Sequence, residues 1–405
     1  MSDSATLPLP RRVDINPKPL GVSLLLILIG ALWLAQAVSV KQAALFVVGA
    51  LLGLALYHAA FGFTSSWRVF IADGRGAGLR AQMIMLAVGV ALFFPALSAG
   101  TLFGNPVNGL VSPAGTSVVI GAFLFGIGMQ LGGGCASGTL YTVGGGSTRM
   151  IVTLLAFIAG SVIATAHMPF WTSLPQLKPV SLVKELGLAP ALLLNWLVFA
   201  AIAAITVVVE KRRHGKLVAP KLPAERASTW LHGPWPLVAG AIALVLLNFA
   251  TLALSGRPWG VTSAFALWGA KAASAIGIDT ASWTYWSTKA NAAALAAPVW
   301  KDVTSVMDIG IVLGAMLAAA LAGRYAPKWK LPLRSFIAAV VGGLMLGYGA
   351  RLAYGCNIGA YFSGIVSGSL HGWLWLVAAF AGNVFGTRLR PLFGLEVERI
   401  KQTGC

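Results

Sequence analysis

Ten apolar runs, each 18 to 21 residues long, constrain this chain more than any other feature. A helix crosses the hydrocarbon core of a bilayer in about 20 residues, at roughly 1.5 Å of rise per residue. The runs are 21–39, 43–63, 81–99, 113–130, 150–167, 189–209, 236–254, 303–323, 335–352 and 371–388. Only 10% of the 405 residues are charged and 58% are hydrophobic, whereas soluble domains carry roughly 25% charge. The chain therefore reads as all-α, a polytopic membrane protein with about nine or ten spanning helices. The 14 Trp suit anchoring at the bilayer edges. Residues Met1 to Pro19 are polar and lack the short apolar core of a cleaved signal.

The formal charge of +18 comes from 29 basic and 11 acidic residues. A nucleic-acid partner is the reading to exclude, and the distribution excludes it. The basic residues gather between runs: Arg68, Arg75 and Arg80; Lys211-Arg-Arg-His-Gly-Lys216 with Lys221 and Arg226; and Arg324, Lys328, Lys330 and Arg334. Ten crossings from a cytoplasmic N-terminus bearing Arg11, Arg12 and Lys18 put every such cluster, and the C-terminal tail, inside, as the positive-inside bias requires. Residues 1–20 and 391–405 then read as cytoplasmic tails and 211–234 as a basic cytoplasmic linker. Residues 21–210 and 235–390 form the two halves. Asp308 is the one acid within a run, so the paired carboxylates that commonly mark proton coupling are missing.

Between the fourth and fifth runs the chain breaks at Gly126-Ile-Gly-Met-Gln-Leu-Gly-Gly-Gly-Cys-Ala-Ser-Gly138. Glycine at this density suits a backbone that must turn and approach something closely. The pattern returns as Gly347-Tyr-Gly-Ala-Arg-Leu-Ala-Tyr-Gly-Cys-Asn-Ile-Gly359. Two further pairs accompany it. Phe61-Gly-Phe-Thr-Ser-Ser-Trp67 matches Trp259-Gly-Val-Thr-Ser-Ala-Phe265, and Ala159-Gly-Ser-Val162 matches Ala381-Gly-Asn-Val384. The Thr-Ser breaks follow the second and seventh runs and the Cys breaks the fourth and ninth, so partner breaks lie five runs apart. An odd number of crossings turns the second half upside down, giving two inverted-topology repeats with short re-entrant broken helices. That arrangement goes with a substrate site near the midplane, because irregular backbone is tolerated at that depth only where it is buried or lines a watery path. The plainer alternative is that the glycines serve close helix packing.

Of the three cysteines, Cys135 and Cys356 occupy matching places in the breaks, and Cys405 is the last residue. A buried thiol is commonly inert, but it also offers a weak donor and a polarizable sulfur. Neither cysteine has a neighbouring base in sequence, which argues against an enzyme working by covalent catalysis. Arg351 corresponds to Gln130. An arginine here either snorkels or binds an oxyanion with its planar fork. Gly133, Gly134 and Gly355 can expose backbone N–H groups to an anion. Ser137, Asn357, Thr64, Thr262 and Ser263 are the remaining candidate pathway residues. His58 and His167 read as interfacial or packed, and Lys271 and Lys289 as outer-loop surface. No HxxxH, HExxH or GK[ST] pattern occurs, so neither a metal, another cofactor nor ATP is expected.

Gly132-Gly-Gly-Cys-Ala-Ser-Gly-Thr-Leu140, Tyr354-Gly-Cys-Asn-Ile-Gly359 and Arg257-Pro-Trp-Gly-Val-Thr-Ser-Ala-Phe265 together resemble the YeeE/YedE family of sulfur-compound transporters, over roughly residues 20 to 390. The resemblance implies import of thiosulfate or a related small sulfur species across the bacterial inner membrane. It further implies an hourglass of inverted helical halves and cysteines that pass the anion by S–H···S contacts. It also suggests a cytosolic sulfur-carrier or sulfurtransferase partner. Some relatives are linked to selenium, which leaves a selenium species or another anion as the alternative solute, and a sulfurtransferase carrying sulfur on one Cys as a further alternative. Thiosulfate importers of the family carry another cysteine in the first-half break, where this chain has Thr64 and Ser65.

Overall fold

The computed structural model describes residues 15–218, 227–327 and 329–397. Arg11, Arg12, Lys221, Arg226, Lys328 and Cys405 lie outside them. The first half contains α1 (Pro17–Ala37), α2 (Val40–His58), α3 (Phe63–Asp73), α4 (Ala77–Ala99), α5 (Thr116–Gly132), α6 (Ala136–Gly144) and α7 (Thr148–Ser173). A short α8 (Leu182–Leu186) leads into α9 (Leu188–His214), and α10 (Ala227–His232) into α11 (Leu237–Ser255). Then come α12 (Thr262–Ala275), α13 (Lys289–Ala296), α14 (Val303–Leu321) and α15 (Leu333–Leu352). A π-helical segment, Asn357–Phe362, runs into α16 (Ser363–Val366), and α17 (Leu370–Leu389) follows. Among the described residues, strands are limited to two pairs of two-residue segments in the loops.

Nine helical stretches among the described residues are long and apolar enough to cross a membrane. The protein is therefore an all-helical, multi-pass membrane protein. The tenth expected run became α17, which at 20 residues is long enough but is interrupted by His371, Asn383 and Arg388. Polar caps set two helix starts where the apolar pattern alone is silent. The Ser39 hydroxyl accepts from the Gln42 N–H at 3.1 Å, and the Asp302 carboxylate accepts from the Ser305 N–H at 2.7 Å, each satisfying an orphan donor of a first turn.

The helices sort by what covers them. On α1, Leu25, Leu28 and Leu32 are exposed, and on α9 so are Leu193, Leu197 and Ile205; both are outer helices turned to lipid. Inside, α15 lies against α5 and α7, and α17 against α5. The other close pair is α2 with α14. There Gly49 and Gly53 face the backbone of Met307 and Ile311, while Gly310 and Gly314 face that of Phe46 and Ala50. Two small-xxx-small faces thus interlock. In a bilayer such contact matters because lipid tails are as apolar as leucine, and close van der Waals packing has to drive association.

Three sequence expectations change. Residues 169–188 were expected to be loop, but α7 continues through Pro169 to Ser173. The proline sits in the last turn, and Trp171 Nε1 donates to Tyr348 Oη at 2.9 Å, which holds that turn against α15. Lys271 is not an outer-loop residue. It lies on α12, and its ammonium donates to the carbonyls of Leu295 and Ala297 at 2.6 and 2.7 Å. Asp308 is not the only acid in a spanning helix, because α9 extends to His214 and includes Glu210.

Glu210 is fully buried and pairs with Arg80 at 2.7 Å. Its oxygens also accept from the N–H groups of Gly76 and Val218 at 3.2 and 3.0 Å. Removing one partner of a buried pair costs about 3–5 kcal/mol. Arg80→Leu should fall at the low end, near 3 kcal/mol, because the two backbone donors remain. Thermal unfolding of the purified protein in detergent should show a clear drop in midpoint. An unchanged midpoint would mean that the pair does not hold α4 to α9.

Candidate substrate pathway

Both cysteine breaks are built the same way. Helix α5 ends at Gly133, which takes a left-handed φ of 95°. Cys135 then caps α6: its Sγ accepts from the Gly138 N–H at 3.4 Å, and Ser137 Oγ lies 3.5 Å away. In the second half α15 gives way to Tyr354 at φ 58° and Gly355 at φ 151°. Cys356 caps the π-helical segment, with its Sγ accepting from the Ile358 N–H at 3.4 Å. A Cβ at Gly355 would stand 2.7 Å from the Ala360 nitrogen, so only glycine closes this turn. π-helical turns recur at functional sites. Both thiols are buried, at 1% and 0% exposure. Helix α6 packs against the π-helical segment, so the two cysteines cap neighbouring elements.

A cavity lies on either side of this pair. The first, of about 330 Å³, is lined by Thr262, Ser263, Arg351, Gly355 and Gly359, with Arg257 and Trp259. The second, of about 360 Å³, is lined by Tyr57, Tyr141, Thr142, Ser147, Arg149 and Lys330. They open at opposite ends of α14. Thr304 and Met307 of its first turns line the first, and Ala326 and Lys330 beyond its last turn line the second. Nineteen residues of helix separate those ends, roughly 28 Å at 1.5 Å per residue. Glycines flanking Cys356 border the first cavity, while α6 leads from Cys135 to Gly145 and Gly146 at the edge of the second.

The expected pathway residues separate into groups. Cys135, Ser137, Gly133 and Gly134 gather at one break, and Cys356, Asn357 and Gly355 at the other. Arg351 is 8% exposed and belongs to the cavity rather than to lipid: its guanidinium donates to Tyr285 Oη at 2.9 Å and lies 5.6 Å from that ring. Ser263 donates to Thr304 Oγ1 at 3.1 Å on the rim, and Thr262 lies beside it. Gln130, the sequence counterpart of Arg351, reaches neither cavity. It is fully buried, donating to Asn383 Oδ1 at 2.6 Å and the Thr64 carbonyl at 3.2 Å, and accepting from Arg68 at 3.3 Å. It clamps α3, α5 and α17 together. Thr64 is buried beside it with no partner for its hydroxyl and lines neither cavity.

His58 is buried and packs 5.5 Å from the Trp235 ring, and His167 is bonded to Tyr348 Oη at 2.9 Å. Sequence reasoning missed Arg149, which donates to the carbonyls of Leu131 and Gly132 at 2.5 and 2.8 Å. Those are the orphan acceptors at the end of α5, and a cation there complements the helix dipole. The available signal was a lone Arg opening an apolar run beside the motif. Trp259 Nε1 and both side-chain atoms of Asn357 are buried without partners. Buried polar groups normally find partners, so Trp259 Nε1 and Asn357 Nδ2 are donors, and Asn357 Oδ1 an acceptor, left open to a solute.

An all-helical membrane body, a cavity at each end of α14 and a thiol-capped break in each half are features of one class, the multi-pass membrane transporters. The chain belongs to the sulphur transport family, whose sequence model matches residues 58–385. It is 29% identical over 353 residues to the thiosulfate transporter TsuA of Spirochaeta thermophila, covering 83% of this chain and 95% of that protein. It is 27% identical over 356 residues to the Escherichia coli thiosulfate transporter TsuA, covering 83% and 91%. A probable transporter, YedE of Salmonella typhimurium, is 31% identical over 175 residues, 43% of each chain. The match thus spans less than half the length of that relative.

Proposed function

We propose that this protein imports thiosulfate, or a related small sulfur-containing anion, across the bacterial inner membrane by passing it between Cys356 and Cys135. The observation that carries this reading is the capping of both breaks. Each sulfur already accepts a backbone N–H, so the Cys356 proton can go to a sulfur or oxygen atom of a solute, and the Cys135 proton to the solute or to Ser137 Oγ at 3.5 Å. Arg351 and Trp259 Nε1 serve the anion on the first side, and Arg149 and Lys330 on the second. Thr262 and Ser263 solvate it at the first rim. Thr64, away from either cavity, has a structural place beside Gln130.

The two halves, 21–210 and 235–390, act as inverted repeats whose broken helices enter from opposite faces. Reciprocal packing supports this. Gly126 faces the carbonyl of Ala379 as Gly347 faces that of Phe157, and Gly382 faces Phe123 as Gly160 faces Leu344. With the termini cytoplasmic, the first cavity opens outward and the second toward the cytosol. Moving an anion inward against the membrane potential costs about 2.3 kcal/mol per charge per 100 mV. A cytosolic sulfur-carrier or sulfurtransferase protein that consumes the anion would lower its concentration at the inner mouth.

The test is uptake of radiolabelled thiosulfate into cells stripped of their own importers. Expression of this chain should give uptake that excess unlabelled thiosulfate abolishes and sulfate does not. Uptake that sulfate abolishes equally would remove the sulfur-atom contact from the account. Arg351→Ala should raise the half-saturating concentration about tenfold and Arg351→Lys less, since a lost charge-assisted bond is worth about 1.5–3 kcal/mol. Equal values for wild type and both variants would take Arg351 out of the pathway.

A further inference from the structure

One face of α14 runs from cavity to cavity. Thr304 lines the first cavity and accepts from Ser263. Val312, two turns deeper, faces Gly144 of α6, which adjoins the wall of the second cavity. Midway between them, one turn from each, stands Asp308. It is fully buried, and neither carboxylate oxygen has a hydrogen-bond partner. Helix α14 packs against α6, which Cys135 caps.

We propose that Asp308 is the site at which a proton travels with the anion, making the transporter a proton–anion symporter. The inference rests on the anion path proposed above and adds its driving ion. A carboxylate left unpaired in an apolar barrier is strongly disfavoured, so something positive must accompany its charge. A metal cation asks for a shell of several ligands, and the described residues contain no group of three His, Cys, Asp or Glu that could hold one. A proton needs no such shell.

The surrounding charges do not supply a permanent partner. Asp302, at the cap of α14, is an acid bonded to Ser305, and Lys301 lies in the short turn just before it, at that same end of the helix. Lys41 and His58 stand at the two ends of α2. Lys18 is in the first turn of α1, and Lys271 of α12 is bonded to carbonyls. Helix α6 brings Tyr141 and its capping Cys135. In the proposed cycle a proton enters from the first cavity and binds Asp308 while the anion lies between the thiols. It leaves toward the second cavity with the anion. No bond other than the O–H bond is made or broken.

The experiment uses the full-length protein in liposomes containing a pH dye, with a thiosulfate gradient directed inward. Wild-type influx should acidify the lumen in proportion to the thiosulfate that enters. Asp308→Asn should lower the protons moved per thiosulfate at least tenfold, and Asp308→Glu should keep the ratio. In parallel, the unmodified protein is treated with dicyclohexylcarbodiimide, which attacks protonated carboxyls, and the adduct is located by mass spectrometry. Asp308 should be labelled, and thiosulfate should slow the labelling. Thiosulfate influx without proton movement overturns the coupling but leaves the anion path standing. An unaltered ratio in Asp308→Asn removes the assignment to this residue, and so does absence of an Asp308 adduct. No thiosulfate influx in the wild type overturns the anion path itself, and the symport with it.

Discussion

Cells carrying Cys356→Ala are expected to take up thiosulfate at least about tenfold more slowly than cells carrying the wild type, with the same amount of protein in the membrane. Cys135→Ala should lose a similar factor. The thiols sit at the caps of the two breaks, each with a backbone N–H already on the sulfur. Alanine removes the donor to the anion and leaves that N–H without its acceptor. A hydrogen bond to a charged group is worth about 1.5–3 kcal/mol, and 1.4 kcal/mol is a factor of ten. Serine should recover part of the loss for a solute that accepts through oxygen and less for one that accepts through sulfur, because a hydroxyl is the harder partner. Full uptake by both alanine variants would place the solute elsewhere or make it a different one. Full uptake with one cysteine, together with labelled sulfur fixed to the protein, would instead describe a sulfur-transferring enzyme.

Gly314→Val is expected to prevent α2 and α14 from docking. A Cβ at Gly314 would overlap the carbonyl of Ala50, and both groups belong to rigid helix backbone. Overpacking commonly costs about 1–3 kcal/mol when side chains can move aside. Here none can, so the cost should reach or pass the upper figure. Gly21→Val is the control, since nothing lies within 4 Å of a Cβ there. Size-exclusion chromatography in detergent should show aggregated or absent Gly314→Val protein and a wild-type profile for Gly21→Val. Matching profiles for all three would mean that the close approach of α2 and α14 is dispensable.

The spanning helices were legible because each is a local property: an apolar run of sufficient length. The two breaks were legible for the same reason, as glycines and a cysteine at fixed spacing. What escaped was set by partners far along the chain. Gln130 and Arg351 match in sequence, yet Asn383, Arg68 and the Thr64 backbone seal the first into the core, while Tyr285 holds the second at a cavity. Pro169 ended a helix on paper, but Trp171 and Tyr348 carry α7 past it. Glu210 lay one residue beyond an apolar run, and only its pairing with Arg80 shows why α9 can contain it. Asp308 was visible as a lone acid. Its place between two cavities depends on α6 packing against α14, which no local pattern encodes.

The central claim is that the anion passes between Cys356 and Cys135, and thiol protection tests it most directly. The wild-type protein in liposomes is exposed to N-ethylmaleimide, and modification of each cysteine is followed by mass spectrometry. The account predicts that Cys135 and Cys356 react slowly from their buried positions, that thiosulfate slows both further, and that sulfate does not. Both thiols reacting at the same rate with and without thiosulfate, under conditions in which thiosulfate is being transported, would contradict it.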